Sequence, residues 1–199
     1  MDVGAGDGGY VLHRALTEPR TFAIAIDASP DTLVGGAWRA KRARLANVAF
    51  LVEGVERLPQ ELAEAANEVT IHFPWGSLLR GLLTADPAVV VPIAHLLKPE
   101  GELRVLLSAT ARDGYVDVAP ESLTRLAGEY SSLGLAIEEA GWAIPSQIAA
   151  SRSSWAKRLG DLRPVVSARY SRRSSRRGLI SAGTSGLLQQ SQFTLNRPS

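Results

Sequence analysis

A glycine-rich segment near the start of the chain combines residue types that suit the binding of an adenosine-containing cofactor. Residues 2–8 read Asp-Val-Gly-Ala-Gly-Asp-Gly and lead into a helical pattern over residues 10–16. Glycines allow the backbone to approach a ligand closely at the carboxyl end of a strand. Asp27, at the end of the next predicted strand, is placed to accept both ribose hydroxyls. The spacing to Gly9 also allows a dinucleotide fingerprint, and a glycine turn without a ligand is a third interpretation.

Two tryptophans stand in segments that suit the stacking of a planar ring. Trp75 lies in Phe-Pro-Trp-Gly at the end of a predicted strand, and Trp155 lies in Ser-Ser-Trp-Ala-Lys-Arg-Leu. An isolated tryptophan is more often a core residue. At a strand end, with proline before it and glycine after it, Trp75 also offers a flat face to a planar ring, and the second tryptophan segment changes the odds through the resemblance given below. The three histidines have no matched acid and are interpreted as structural.

Short apolar runs alternate with helical patterns, which predicts an α/β fold around a mostly parallel sheet. The predicted strands are 22–26, 48–52, 69–73, 103–107, 135–143 and 165–170, and the predicted helices include 10–16, 30 to about 46, 122–132 and 153–159. Few residues precede the glycines, so the first strand is expected to be incomplete.

Composition and charge narrow the class of protein. The 199 residues include no cysteine, and 45% hydrophobic with 21% charged residues is typical of a globular domain. No disulfide, signal peptide or membrane span is predicted, so we expect a cytoplasmic protein. Residues 171–199 carry five arginines and no acid. We therefore predict a domain over residues 1–170 and a basic, flexible tail over residues 171–199.

The glycine segment and the two tryptophan segments, in this order, resemble the 16S rRNA adenine-1408 N1-methyltransferases, which confer resistance to kanamycin and apramycin. The resemblance covers most of residues 1–170 and implies a class I S-adenosylmethionine-dependent methyltransferase with a Rossmann-like, mostly parallel seven-stranded sheet. Two departures stand out: the N-terminal β-hairpin and full first strand of the family are absent, and Val165 replaces a second arginine.

The resemblance also implies roles for individual residues. Trp75 and Trp155 would sandwich a flipped adenine, with Ser153 shaping the loop beneath it. S-adenosylmethionine would be held by residues of the glycine segment, the second strand and the segment after the third strand: Asp2, Gly4, Gly6, Asp27, Val55, Glu56 and Arg57. The rRNA would be contacted by basic residues: Arg39, Lys41, Arg42, Arg44, Arg112, Lys157, Arg158 and Arg163. As a bare charge run, residues 39–44 are more often a solvated face; beside the two tryptophan segments, a solvated face and an RNA contact are equally good interpretations.

The implied reaction needs no general base, because adenine N1 has a free lone pair, and its catalysis rests on orientation. The expected partner is the 30S subunit through helix 44 of 16S rRNA; a monomer without metal or membrane contact is expected. Two alternatives stay open. One is a methyltransferase for another RNA or a small molecule, and the other is a truncated, non-catalytic RNA-binding paralogue.

Overall fold

The structure is a computed structural model that describes residues 1–109, 114–115, 118–154, 156 and 163–173. These residues form seven strands: β1 (Asp2–Val3), β2 (Ala23–Asp27), β3 (Val48–Val52), β4 (Ala66–His72), β5 (Leu97–Leu107), β6 (Leu135–Trp142) and β7 (Val166–Arg172). They build one sheet in the order β3-β2-β1-β4-β5-β7-β6. The first five strands pair in parallel, whereas β7 is antiparallel to β5 and to β6. The prediction of a mostly parallel α/β sheet is confirmed.

Seven α-helices connect the strands in the described part of the chain: α1 (Gly9–Thr17), α2 (Pro30–Arg42), α3 (Gly76–Thr84), α4 (Pro87–Leu96), α5 (Pro120–Thr124), α6 (Ala127–Ser132) and α7 (Pro145–Ala150). Four of them begin with proline, whose fixed φ and missing N–H suit the first helical position. None of these helices is by itself long and apolar enough to cross a membrane, although α3 and α4, bent by 92°, pass that test as a pair.

The two largest of three apolar clusters in the described residues cover the two faces of the sheet and hold the layers together. The larger cluster packs strand residues such as Ile71 against α3 to α6, and it includes the buried Tyr130. The hydroxyl of Tyr130 donates a hydrogen bond to the Leu82 carbonyl at 2.6 Å. The smaller cluster joins β2 to α1 and α2 through Val11, Ala25 and Leu33. This α/β/α layering leaves the carboxyl ends of β1 to β4 together at one edge, called here the carboxyl edge.

The first strand has two residues, in agreement with the predicted short strand. Asp2 pairs with Ala25 on one side and with Thr70 on the other, so even this short strand is hydrogen-bonded between β2 and β4. At the other end of the fold, β7 continues through Arg172. The sheet therefore extends two residues beyond the boundary that the basic composition of residues 171–199 predicted.

Helix α2 ends at Arg42 rather than near residue 46, so that prediction was wrong. Arg44 takes a left-handed conformation with φ 53°. The backbone N–H of Leu45 then bonds the carbonyl of Ala40, and that of Arg44 bonds the carbonyl of Lys41. These are the two hydrogen bonds of a Schellman closure, in which an arginine occupies the position usually taken by glycine. A reversal of this kind is hard to predict from residue types alone.

The single helix predicted over residues 122–132 is two short helices, α5 and α6. The backbone changes direction at Leu126, whose ψ is near 12°. Both helices direct one large side chain inward, because Leu123 and Tyr130 are each no more than 1% exposed. The break lets both side chains reach the core. The helix predicted over residues 153–159 lies largely outside the described residues.

Candidate functional site

A cleft of about 210 Å³ opens at the carboxyl edge of the sheet. Its lining comes from the carboxyl ends of four strands and the residues that follow them: Val3 and Gly4 at β1, Asp27 and Ala28 at β2, residues 53–56 beyond β3 and residues 74–78 beyond β4. Two larger cavities, of about 330 and 480 Å³, lie elsewhere around Tyr10 and include neither Gly4 nor Asp27. The cleft at the predicted site is therefore smaller than both of these cavities.

Asp27 closes the glycine loop onto β2. Its carboxylate accepts hydrogen bonds from the backbone N–H of Gly6 at 2.7 Å and of Ser29 at 2.9 Å. The Thr32 hydroxyl also donates to this carboxylate, at 3.4 Å. An ionised carboxylate offers about four lone-pair positions, so acceptor capacity remains for a ligand. Gly4 has φ 72°, and a Cβ at this position would lie 2.9 Å from the Cδ2 atom of Leu78. Glycine at position 4 therefore keeps the cleft open.

The third strand contributes an acidic wall. Glu53 follows β3 directly, and its carboxylate accepts hydrogen bonds from the Gly54 backbone N–H at 2.8 Å and from Arg57 Nε at 2.9 Å. These bonds, the one from Gly54 first, hold the pKa of Glu53 below its ordinary value. Glu56 lines the same wall, whereas Arg57 reaches it through Glu53. Sequence reasoning missed Glu53, although it follows β3 directly and its backbone N–H bonds the Asp27 carbonyl at 3.0 Å.

Trp75 stands at the rim of the cleft with its indole in solvent. It is 75% exposed, the highest value among the exposed large apolar side chains of the described residues. A core role, which an isolated tryptophan would suggest, is therefore wrong for this residue. Two residues before it, the buried Phe73 has a φ of 52°, in the left-handed region. Strained backbone of this kind is held by its surroundings and is common at ligand sites.

Asp2 is in a different position from the other predicted cofactor residues. Its side chain is 3% exposed, and its Oδ1 atom accepts a hydrogen bond from the Thr70 hydroxyl at 2.6 Å and lies 3.4 Å from His72 Nδ1. The ring of His72 packs edge-on against Tyr10, with centroids 4.6 Å apart. Asp2 therefore supports the base of the glycine loop from within the sheet, beneath the cleft.

Helix α2 packs directly on the glycine loop. A Cβ at Gly36 would lie 2.5 Å from the carbonyl oxygen of Asp7. Three residues further along the helix, the Arg39 guanidinium is bonded to the same Asp7. Arg39, which is one of the basic residues predicted to contact RNA, therefore forms hydrogen bonds with the glycine loop. The others that the structure describes are exposed: Lys41, Arg42, Arg44 and Arg163.

The second tryptophan segment is only partly described. Ser153 is half-buried, and its Oγ atom accepts a hydrogen bond from the Ala156 backbone N–H at 3.4 Å. The predicted site residues Arg112, Trp155, Lys157 and Arg158 lie outside the described residues. Among the residues that are described, no group of three His, Asp or Glu side chains comes together to hold a metal ion. The structure thus unites Gly4, Asp27, Val55, Glu56 and Trp75 around one cleft.

A mostly parallel seven-stranded sheet with a glycine loop and an acidic cleft at its carboxyl edge defines a Rossmann-like, class I methyltransferase fold. A solved 16S rRNA (adenine(1408)-N(1))-methyltransferase from Catenulisporales acidiphilia, with its cosubstrate SAM, shares this fold at a TM-score of 0.78. The match covers 89% of this chain and 87% of that one at 22% sequence identity.

Sequence comparison narrows this class to one family. Residues 1–173 match the NpmA family, described as 16S rRNA (adenine(1408)-N(1))-methyltransferase, and the chain belongs to this family. A relative from Streptoalloteichus tenebrarius that carries the same description is 30% identical over 171 residues, which are 80% of this chain and 79% of the relative. The solved aminoglycoside resistance methyltransferase NpmB1 is 33% identical with a TM-score of 0.69, covering 86% of this chain and 85% of that chain. The family resemblance noted from the sequence is confirmed.

Proposed function

We propose that this protein transfers a methyl group from S-adenosylmethionine to N1 of adenine 1408 in helix 44 of 16S rRNA, on the 30S subunit. The methyl group, with the positive charge that it brings, would block kanamycin and apramycin from the Watson-Crick edge of that base. The observation that carries the proposal is the position of Trp75. Its 75% exposed indole stands at the rim of the cleft that Asp27 and Gly4 form.

The cleft fits the cofactor in shape and charge. Asp27 keeps acceptor capacity for ribose hydroxyls after bonding Gly6, Ser29 and Thr32. The described lining residues include the carboxylates of Asp27, Glu53 and Glu56 and no basic side chain. Such a lining suits a positively charged sulfonium. When bound, S-adenosylmethionine supplies an electrophilic methyl group.

The protein's own contribution is orientation rather than proton transfer. Adenine N1 is neutral with a free lone pair, so the bond to the methyl carbon can form while the carbon–sulfur bond breaks, without prior loss of a proton. Holding N1 in line with that bond is therefore the main catalytic task. Trp75 offers one face for the base, and we assign the opposite face to Trp155, beside Ser153. Stacking is worth about 1–3 kcal/mol per base and offsets the extrusion of adenine from the RNA stack, which costs a few kcal/mol.

Target choice requires contacts beyond the adenine, because every base has a stacking face. We assign these contacts to basic residues that meet rRNA phosphates. They are Arg39, Lys41, Arg42, Arg44 and Arg163 in the described chain, with Arg112, Lys157 and Arg158 outside it. We further propose that the protein acts as a monomer without metal, in the cytoplasm where its ribosomal substrate is found.

Primer extension across helix 44 tests the proposal. Purified 30S subunits are incubated with the protein, with and without S-adenosylmethionine, and the rRNA is then reverse transcribed. N1 methylation removes a Watson-Crick position, so we expect a cofactor-dependent stop beside adenine 1408. Cofactor binding without a stop would indicate another RNA or a small-molecule substrate. Absence of cofactor binding would indicate a non-catalytic RNA-binding protein.

A further inference from the structure

Helix α2 carries an exposed tryptophan that the proposed reaction does not use. Trp38 is 61% exposed, and Val34, one turn before it, is 57% exposed. Lys41, one turn after it, places its Nζ atom 5.5 Å from the centre of the indole. Together with the adjacent Arg42, these side chains form a continuous exposed strip, called here the α2 outer face.

The α2 outer face lies opposite the side of the helix that holds the fold together. The buried residues of α2 are Leu33, Gly36 and Ala40, which repeat at helical spacing. Residues 34, 38 and 41 repeat with the same spacing on the other side of the helix. Trp38 therefore contributes its ring to the surface rather than to the core. A large aromatic side chain on a surface is typical of an interaction site.

The charge of this face identifies the kind of partner. The last turn of α2 carries Arg39, Lys41 and Arg42, and Arg44 follows it; the acid of the first turn, Asp31, lies at the opposite end of the helix. A flat aromatic ring bordered by cations matches the two features of unpaired RNA, which are exposed bases and phosphates. A protein partner of ordinary composition would not require such an excess of positive charge.

We propose that Trp38 stacks on an unpaired base of 16S rRNA other than the methylated adenine, while Lys41 and Arg42 contact the flanking phosphates. The inference rests on the proposed function. Position 38 is next to Arg39, which bonds the glycine loop through Asp7. A base held by Trp38 would therefore dock the subunit beside the cofactor cleft, and it would supply an orienting contact that phosphate binding alone cannot give.

Binding of 30S subunits as a function of salt tests this inference. Trp38→Ala should raise the Kd for 30S subunits about 5- to 100-fold, the range that the loss of one stacked base produces. The slope of log K against log salt should stay unchanged, because no phosphate contact is lost. Arg42→Ala should instead lower that slope by about one phosphate contact. Trp38→Phe should restore most of the affinity.

Phe22→Ala, which removes another exposed aromatic ring outside this face, is the matched control and should bind as the parent protein does. Cofactor affinity and thermal unfolding of Trp38→Ala should match the parent protein, which excludes misfolding as the cause.

Unchanged 30S affinity in Trp38→Ala would overturn the inference while leaving the proposed function intact if adenine 1408 is still methylated. A protein dimer that Trp38→Ala dissociates, with unchanged 30S binding, would assign the face to a second copy. Failure of the parent protein to bind 30S subunits would overturn both proposals.

Discussion

Arg39 of α2 is joined to Asp7 of the glycine loop by two hydrogen bonds. Its guanidinium donates to the backbone carbonyl of Asp7 at 2.6 Å and to the carboxylate at 3.2 Å, across 32 positions of sequence. The carbonyl bond matters more for loop shape, because it holds the main chain between Gly6 and Gly8. These two bonds connect α2, whose outer face is basic, to the glycine loop beside the cleft.

The first prediction concerns this connection. Arg39→Ala should weaken the affinity for S-adenosylmethionine about two- to fivefold, because both partners are half-exposed and such pairs are worth up to about 1 kcal/mol. Arg39→Lys should recover only part of the loss, since an ammonium lacks the planar fork of the guanidinium. Isothermal titration calorimetry of the cofactor measures the effect. Arg42→Ala is the control, and equal cofactor affinities in Arg39→Ala and Arg42→Ala would refute a role of Arg39 in the loop.

A second prediction follows from the close packing of α2 on the glycine loop. Gly36→Ala should lower the free energy of unfolding by about 1–3 kcal/mol, because its Cβ would overlap the Asp7 carbonyl oxygen. Gly35→Ala is the matched control in the same helix, where a Cβ meets nothing within 4 Å. It should instead stabilise the protein by up to about 1 kcal/mol. Chemical denaturation of the two variants measures the difference, and the same sign in both would contradict the packing argument.

Removal of the Asp27 charge tests the cofactor site itself. Asp27→Asn should raise the Kd for S-adenosylmethionine about 10- to 100-fold, because an amide has fewer acceptor positions than a carboxylate and carries no charge. Asp31→Asn, in the first turn of α2, should leave that Kd unchanged. Equilibrium dialysis with labelled cofactor distinguishes these outcomes. Cofactor affinity that is equal in the two variants would exclude Asp27 from the binding site.

The role of Trp75 is separable from cofactor binding. Trp75→Ala should lower kcat/KM for 30S methylation about 10- to 100-fold, as expected from the loss of one stacking face. The Kd for S-adenosylmethionine should change by less than about threefold, since an exposed indole contributes little to cofactor affinity. Phe22→Ala is the control: it removes an exposed aromatic ring just before β2 begins and should have no effect on methylation. Parent-like turnover in Trp75→Ala would rule out stacking by this residue.

Much of the fold was predictable because its signals are local. The bounds of β3 agree with the prediction, and the glycine segment precedes a helix as expected. The errors have two origins, an unusual local conformation and a contact between distant segments. Arg44 ends α2 in a left-handed conformation that arginine rarely adopts, and the break at Leu126 allows Tyr130 to reach the Leu82 carbonyl. The Arg44 closure is local, with Ala40 and Lys41 as its acceptors, but an arginine gives no sign of it in the sequence. Leu82 lies 48 positions from Tyr130, so that contact leaves no pattern along the chain.

By itself, the sequence determined the class of fold, the glycine loop that precedes α1 and the family, because these depend on glycine spacing, strand order and short motifs. Only the tertiary structure decided which residues share the cleft. It placed Asp2 beneath the cleft with Thr70, joined Arg39 to Asp7 and left Trp75 and Trp38 in solvent. The physical reason is that burial and hydrogen bonding between distant segments depend on how the whole chain packs. The residue types of one short segment do not determine that packing.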